Sequence, residues 1–178
     1  MKNIAMLAVM LNLGVASIHA QSTNLTVSGS AAASTVSLLG TRASEYQLAG
    51  NGAPGPITLR VLSTSMSAPQ LSTSCSGATK VYFPNVGGAG VFSQDGDLLN
   101  LSLTGGGDCI DFAAGEALCT RIFQVIGGTG RFAKSSGTVT LIMKVAPVLA
   151  DSGNPVFFSV TGTVSGVPRG QGSQGAQP

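Results

Sequence analysis

Three acidic residues in one short stretch, Asp108, Asp111 and Glu116 within "GGGDCIDFAAGEALCT", are the first side chains here that could do chemistry. Carboxylates grouped like this can hold a hard cation through oxygen or serve as acid and base. Their spacing fits no calcium loop, so a solvated acidic loop is the expected reading and no metal is expected. A second candidate is "GGTGRF", Gly127 to Phe132. Glycines after a strand can cradle phosphate when a helix comes next and offers its free amides. The next residues here are "AKSSGTVTLIMKV", which alternate, are rich in β-branched side chains and carry no Lys-Ser/Thr pair in Walker spacing. Gly127, Gly128, Gly130 and Gly137 are therefore read as the glycines of a tight strand connection, with Phe132 plugging into the core. Arg131 and Lys134 beside it are read as water-facing turn residues, and Asp95-Gly96-Asp97 as a hairpin turn.

The remaining chemistry is limited by what is missing. The one histidine, His19, lies in "MKNIAMLAVMLNLGVASIHAQS", which has the order of a secretory signal: Lys2, an apolar run from Ile4 to Ile18, then Ala20 before Gln21. The run is shorter than the ~20 residues that span hydrocarbon, and no basic stop-transfer cluster comes after it. Cleavage after Ala20 is expected, which gives a secreted or periplasmic protein without a membrane span and without histidine. That removes Ser-His-Asp and Cys-His nucleophiles and every histidine metal site. Three cysteines remain, Cys75, Cys109 and Cys119. Their wide spacing suits no metal motif, and an oxidising compartment favours a disulfide. Cys109 with Cys119 is the expected bridge, closing what reads as an irregular loop and leaving Cys75 free.

The elements that must position these residues are strands. The chain has 25 glycines, no Trp and only 9% charged residues, and Lys2 leaves with the signal, so eight basic residues face seven acidic ones. That balance leaves no electrostatic footprint for nucleic acid. In "GTVTLIMKVA", Val139, Leu141, Met143 and Val145 share one face, and in "DLLNLSLT" Leu99, Leu101 and Leu103 do the same. Further strands are read at "NLTVSGS", "STVSLLG", "PITLRVLS", "TKVYFP", "GAGVFSQ", "CTRIFQVI" and "PVFFSVTGTVSG", eight or nine in all. "AGNGAPGP", "PNVGGAG", "TGGGD", "IGGTG" and "DSGNP" are read as their connections. This is an all-β chain, and a closed antiparallel barrel is preferred to a sandwich because closure removes sheet edges. The expected organisation is a signal over 1–20, a barrel over 21–167 and a disordered tail, "RGQGSQGAQP" after Pro168, over 168–178. Asn24 and Asn100 head glycosylation tripeptides only in a eukaryotic host, and are otherwise plain strand residues.

"GGTGRFAKSSG", Gly127 to Gly137, resembles the "GGTG, aromatic, small residue, Gly" connection of the dirigent and allene oxide cyclase barrel proteins and of exported bacterial proteins with the same barrel. The surrounding "GDLLNLSLTGGGDC" and "CTRIFQVIGGTGRF" are similar too. The resemblance runs from Gly96 to Leu141, with Gly162 to Gly166 fitting a closing strand. It implies an eight-stranded antiparallel barrel of the calycin and allene oxide cyclase type, often a trimer in plants, with a cavity opening at one end. The plant dirigent proteins carry an early Asp-Asp-Pro segment, whereas "AGNGAPGPITLR" stands here. The cyclases use a Glu, yet neither Glu45 nor Glu116 sits in a matching motif, so no catalytic residue and no cofactor carry over. Two roles remain: a non-catalytic barrel, either structural or holding a small apolar ligand and open to pairing with itself as a homo-oligomer, or a dirigent- or cyclase-like guide of a reactive apolar substrate.

Overall fold

The computed structural model describes residues 22–38, 41–53, 55–145 and 156–166. The signal read over 1–20 and the tail read over 168–178 lie outside them. Eight strands succeed one another: β1 (Ser22–Leu38), β2 (Thr41–Ala53), β3 (Ile57–Ser65), β4 (Lys80–Gln94), β5 (Asp97–Asp111), β6 (Glu116–Gly128), β7 (Ser136–Val145) and β8 (Val156–Ser165). Each pairs antiparallel with the next, and β8 returns to β1, with Ser22 opposite Ser165, so the sheet closes into a barrel. The expected all-β, eight-stranded antiparallel barrel is the fold observed.

Alternation explains the wall. On β7, Val139, Leu141 and Met143 point inward and are buried, while Thr138, Ile142 and Lys144 face out. On β5, Leu99 and Leu101 are buried, and Leu103 packs against the same core. Asp95 and Gly96 both take positive φ, 52° and 85°, as the tight β4–β5 hairpin requires. Three of the expected boundaries are corrected. "NLTVSGS" and "STVSL" form the single strand β1, "KVYFP" and "GAGVFSQ" the single strand β4, and "TRASEYQLAGNGA" is the separate strand β2. Ser, Ala and Gly between apolar residues read as turn signals, but in a closed barrel a strand needs only backbone partners on both sides.

An antiparallel meander puts its connections at alternate ends. The β4–β5 and β6–β7 connections share one end, and the β3–β4 and β5–β6 connections share the other. Phe132 plugs the first, buried at 3% exposure on a 3-10 turn, Gly130–Phe132, with its ring edge-on to Phe92 at 5.8 Å. At the second end, the long connection after β3 continues along β4 through Met66 N to Pro84 O and Gln70 N to Tyr82 O, 2.9 and 2.8 Å. It is then tied to β5 by a disulfide.

That disulfide joins Cys75 to Cys109, not Cys109 to Cys119, and Cys119 is a buried free thiol. The reason is register. Cys109 pairs with Leu118 and Asp108 with Cys119, so Cys109 and Cys119 lie one step out of register and their side chains point to opposite faces of the sheet. The expected irregular loop is itself sheet, broken only by the turn between Asp111 and Glu116.

Candidate functional site

At the disulfide end, the interior turns polar. Arg121 stands on the inward face of β6 between Cys119 and Phe123, and is 1% exposed. Its register partner on β5 is Gly106, so no side chain competes for the space, and the guanidinium reaches the next inward residue, Asp108, with Nη1 2.7 Å from Oδ1. A side chain at Gly106 is ruled out twice, by φ of 99° and by Thr120 O, 2.2 Å from where its Cβ would stand. Arg121 Nε donates to Ser63 Oγ on β3 at 3.0 Å, and Nη1 donates to Thr120 O at 3.1 Å. Since β3 and β6 are not neighbours in the sheet, the bond to Ser63 crosses the barrel. Ser65 Oγ lies 2.7 Å from Asp108 Oδ2 and 3.1 Å from Asn85 Oδ1, and its single proton serves one of them at a time. Asn85 Nδ2 donates to Thr120 O at 3.1 Å, and the Tyr46 ring lies 5.9 Å from the guanidinium carbon.

The electrostatics fix the charge states. Burial alone works against a charged guanidinium, but Asp108 outweighs it and holds Arg121 above its usual pKa. Desolvation pushes Cys119 up, helped by the charge of Asp108, and desolvation likewise raises Tyr46. Both stay neutral at physiological pH, so the thiol is not an activated nucleophile. The cluster offers neutral hydroxyls and one ion pair.

The three acidic residues read as one loop go to three places. Asp108 is inside the barrel. Asp111 caps the β5–β6 turn, accepting from Thr79 Oγ1 at 2.9 Å and from the Ala113 and Ala114 amides at 3.1 and 3.2 Å; the Ala114 amide, then Thr79, lowers its pKa. Glu116 faces out and pairs with Lys144 Nζ at 3.1 Å. Among the described residues, no group of three or more His, Cys, Asp or Glu could hold a metal. Glu45 is on the outside of β2, paired with Arg60. Asn24 and Asn100 are exposed strand residues.

"GGTGRF" is a latch between two connections at the other end. Asp97 Oδ2 accepts from Arg131 Nε at 2.8 Å and from Arg131 N at 3.3 Å, while Nη2 reaches Asp95 Oδ2 at 3.1 Å. Thr129 N donates to Leu98 O, and Leu98 N donates to Thr129 Oγ1. Gly130 takes a positive φ of 51° close against the Asp97 carboxylate, where a Cβ would force that side chain to shift. Gly127 and Gly137 take positive φ, and Gly128 lies against Leu98 O and Phe132. Arg131, expected to face water, is instead turned onto the two carboxylates of the β4–β5 hairpin. The hydrogen bonds from Arg131 depress the Asp97 pKa. A depressed carboxylate adds stability that is present above its unfolded value, ~3.9, and lost as the pH falls through the folded value. Carboxyl NMR titration is expected to place Asp97 below ordinary aspartates, and Arg131→Gln to return it upward.

Sequence reasoning missed Arg121, Tyr46, Ser63, Ser65 and Asn85. A signal was present at one of them: in "ALCTRIFQV", Arg121 shares a parity with Ala117, Cys119, Phe123 and Val125. The other parity holds Leu118 and Ile122, so neither face stands out as the inner one.

The class defined by this geometry is a closed, antiparallel, eight-stranded barrel with an apolar plug at one end and a buried ion pair toward the other. No protein-family model matches the chain, and no curated protein sequence matches it. Among solved structures it is similar to the pterocarpan synthase dirigent protein GePTS1, at 12% identity and a TM-score of 0.41, over 91% of this chain and 99% of that one. The fold rests on the closed strand order.

Proposed function

We propose that the protein is an exported, non-catalytic barrel with a structural role, acting through its outer surface. The observation that carries this reading is the filled apolar interior with its internal ion pair. Phe92, Phe123, Phe132, Leu99, Leu101 and Leu141 fill the apolar part, and the charge of Arg121 is met by Asp108 with Ser63 and Thr120 O beside it. No activated base or nucleophile faces the interior among the described residues. The Cys75–Cys109 disulfide fits an oxidising compartment, in keeping with removal of residues 1–20 as a signal. Outside, a groove of about 990 Å³ runs over β1 to β4, lined by small residues such as Ala32, Ala49 and Ser93, with Arg60 at its side.

A second reading is favoured by one observation: Tyr46, Asp108 and Arg121 converge inside the barrel, with Ser65 and Asn85 only half-buried toward the disulfide end. In that case a small apolar substrate enters there and is oriented by neutral hydroxyls, as in a dirigent- or cyclase-like guide. Fold alone does not license this role. Native mass spectrometry on protein recovered from its own host separates the two. A chain starting near Gln21 with no passenger is the expected result; a stoichiometric apolar passenger, lost in Tyr46→Ala, overturns the structural reading in favour of the second.

A further inference from the structure

We infer that the outer groove over β1 to β4 is a binding site for a neutral glycan chain, with Phe157 of β8 as its stacking platform. This names the partner of the outer surface and rests on the reading of that surface as the working face. Register accounts for the groove. One row of outward residues runs Phe157, Ser30, Ala49, Thr58 and Ser93 across β8, β1, β2, β3 and β4. The next row runs Ala32, Gln47, Arg60 and Val91. Ser30, Ala32 and Ala49 are small, so the floor over β1 and β2 lies low, while Phe157 rises on one side of it and Gln47, Arg60 and Val91 on the other. Four strand spacings separate Phe157 from Ser93, ~19 Å. With a volume of about 990 Å³, at the top of the ~300–1,000 Å³ range of small-molecule sites, the groove suits several linked units better than one compact molecule.

Three features select a glycan as the occupant. The first is the ring. Phe157 is 62% exposed, and its parity, opposite to that of the buried Phe158, keeps it outside the barrel. A free aromatic face is negative and attracts the C–H face of a sugar ring. The second is the polar lining, which is rich in hydrogen-bonding groups and balanced in charge. The hydroxyls of Ser30, Thr58 and Ser93 and the amide of Gln47 both donate and accept, as sugar hydroxyls do. Arg60 Nε donates to Glu45 Oε1, which offsets the charge and holds the guanidinium in place; its side chain is 72% exposed, and its two terminal nitrogens point no charge at a polyanion that Glu45 does not already meet. The third is what the floor withholds. Each strand of the first row is paired on both sides there, so a peptide finds no main-chain edge to extend. Leu48 and Leu59, which border the groove, point into the core, so Val91 is the one large aliphatic side chain of the lining left for a lipid tail.

Titration of the purified, isotope-labelled protein with cellohexaose, chitohexaose and laminarihexaose, followed by amide NMR, tests it. With at least one of them, saturable shifts are expected at Ser30, Gln47, Ala49 and Thr58, undiminished by high sodium chloride. Phe157→Ala removes the platform and Ala49→Phe fills the floor, and each is expected to raise the Kd by about tenfold or more. Ile126→Ala, on the outside of β6, is expected to leave it unchanged. All three side chains face water, so the variants keep the wild-type pattern of amide signals elsewhere. No saturable shift with any of the three sugars at millimolar concentration overturns the inference, as does binding that neither Phe157→Ala nor Ala49→Phe weakens. Groove shifts produced by heparin or by phosphatidylcholine vesicles and not by the sugars also overturn it, since the occupant would then be a polyanion or a lipid. Shifts confined to Tyr46 and Arg121 would overturn the outer-surface reading as well, whereas a silent titration leaves that reading standing.

Discussion

Replacing Phe132 by alanine is expected to lower the folding free energy by about 3–5 kcal/mol, with an unchanged denaturant slope. The ring is buried, meets Phe92 edge-on at an interplanar angle of 89° and closes one end of the barrel. Alanine removes the transfer free energy of the ring and leaves a cavity that the strands cannot fill, because each is held on both sides by its neighbours. The aromatic pair adds about 0.5–1.5 kcal/mol to the loss. Arg131 and Asp97 keep the connection in place, so it does not collapse into the gap. Chemical denaturation gives the answer: a loss below about 1 kcal/mol would mean that the ring does not plug the barrel, and the stretch would be reopened as a binding site.

The second large effect is expected from Asp108→Ala. Arg121 stays buried and charged, and removing one partner of such a pair costs about 3–5 kcal/mol. Arg121→Met on its own leaves Asp108 half-buried beside Ser65, a smaller loss because water reaches that carboxylate. The double variant, Asp108→Ala with Arg121→Met, is expected to regain most of the stability, since a buried ion pair replaced by apolar groups is often neutral. Urea denaturation of all four proteins in a double-mutant cycle measures the coupling. Equal stability of the wild type and the Asp108→Ala chain would show that the guanidinium is hydrated.

These two side chains differ in how well the sequence announces them. Phe132 is legible because a lone aromatic inside a glycine-rich connection has few uses other than anchoring it. The alternation on β5 and β7 is legible for a similar reason: a half-buried strand must sort its residues by parity. Asp108 was legible as a candidate but not in its role, because its partner lies across a strand register that two irregularities shift, at Asn100/Leu101 and at Leu103/Gly105. The disulfide depends on the same register. Once β5 and β6 pair as they do, Cys109 is turned away from Cys119, and nothing local to "GDCIDFAAGEALC" reveals this. Tyr46 was lost with its strand, since "TRASEYQLAGNGA" mixes small, charged and glycine residues and carries little β signal of its own.

The pairing of β1 with β8 joins the first described strand to the last, Ser22 to Ser165. During folding, β1 can take β2 at once, but its other edge has no partner until β8 is available. Contacts this far apart in sequence close slowly. Until the seam forms, both of its strands present open hydrogen-bonding edges, and the nascent chain is exposed to mispairing with its neighbours for longer than any other part of the wall.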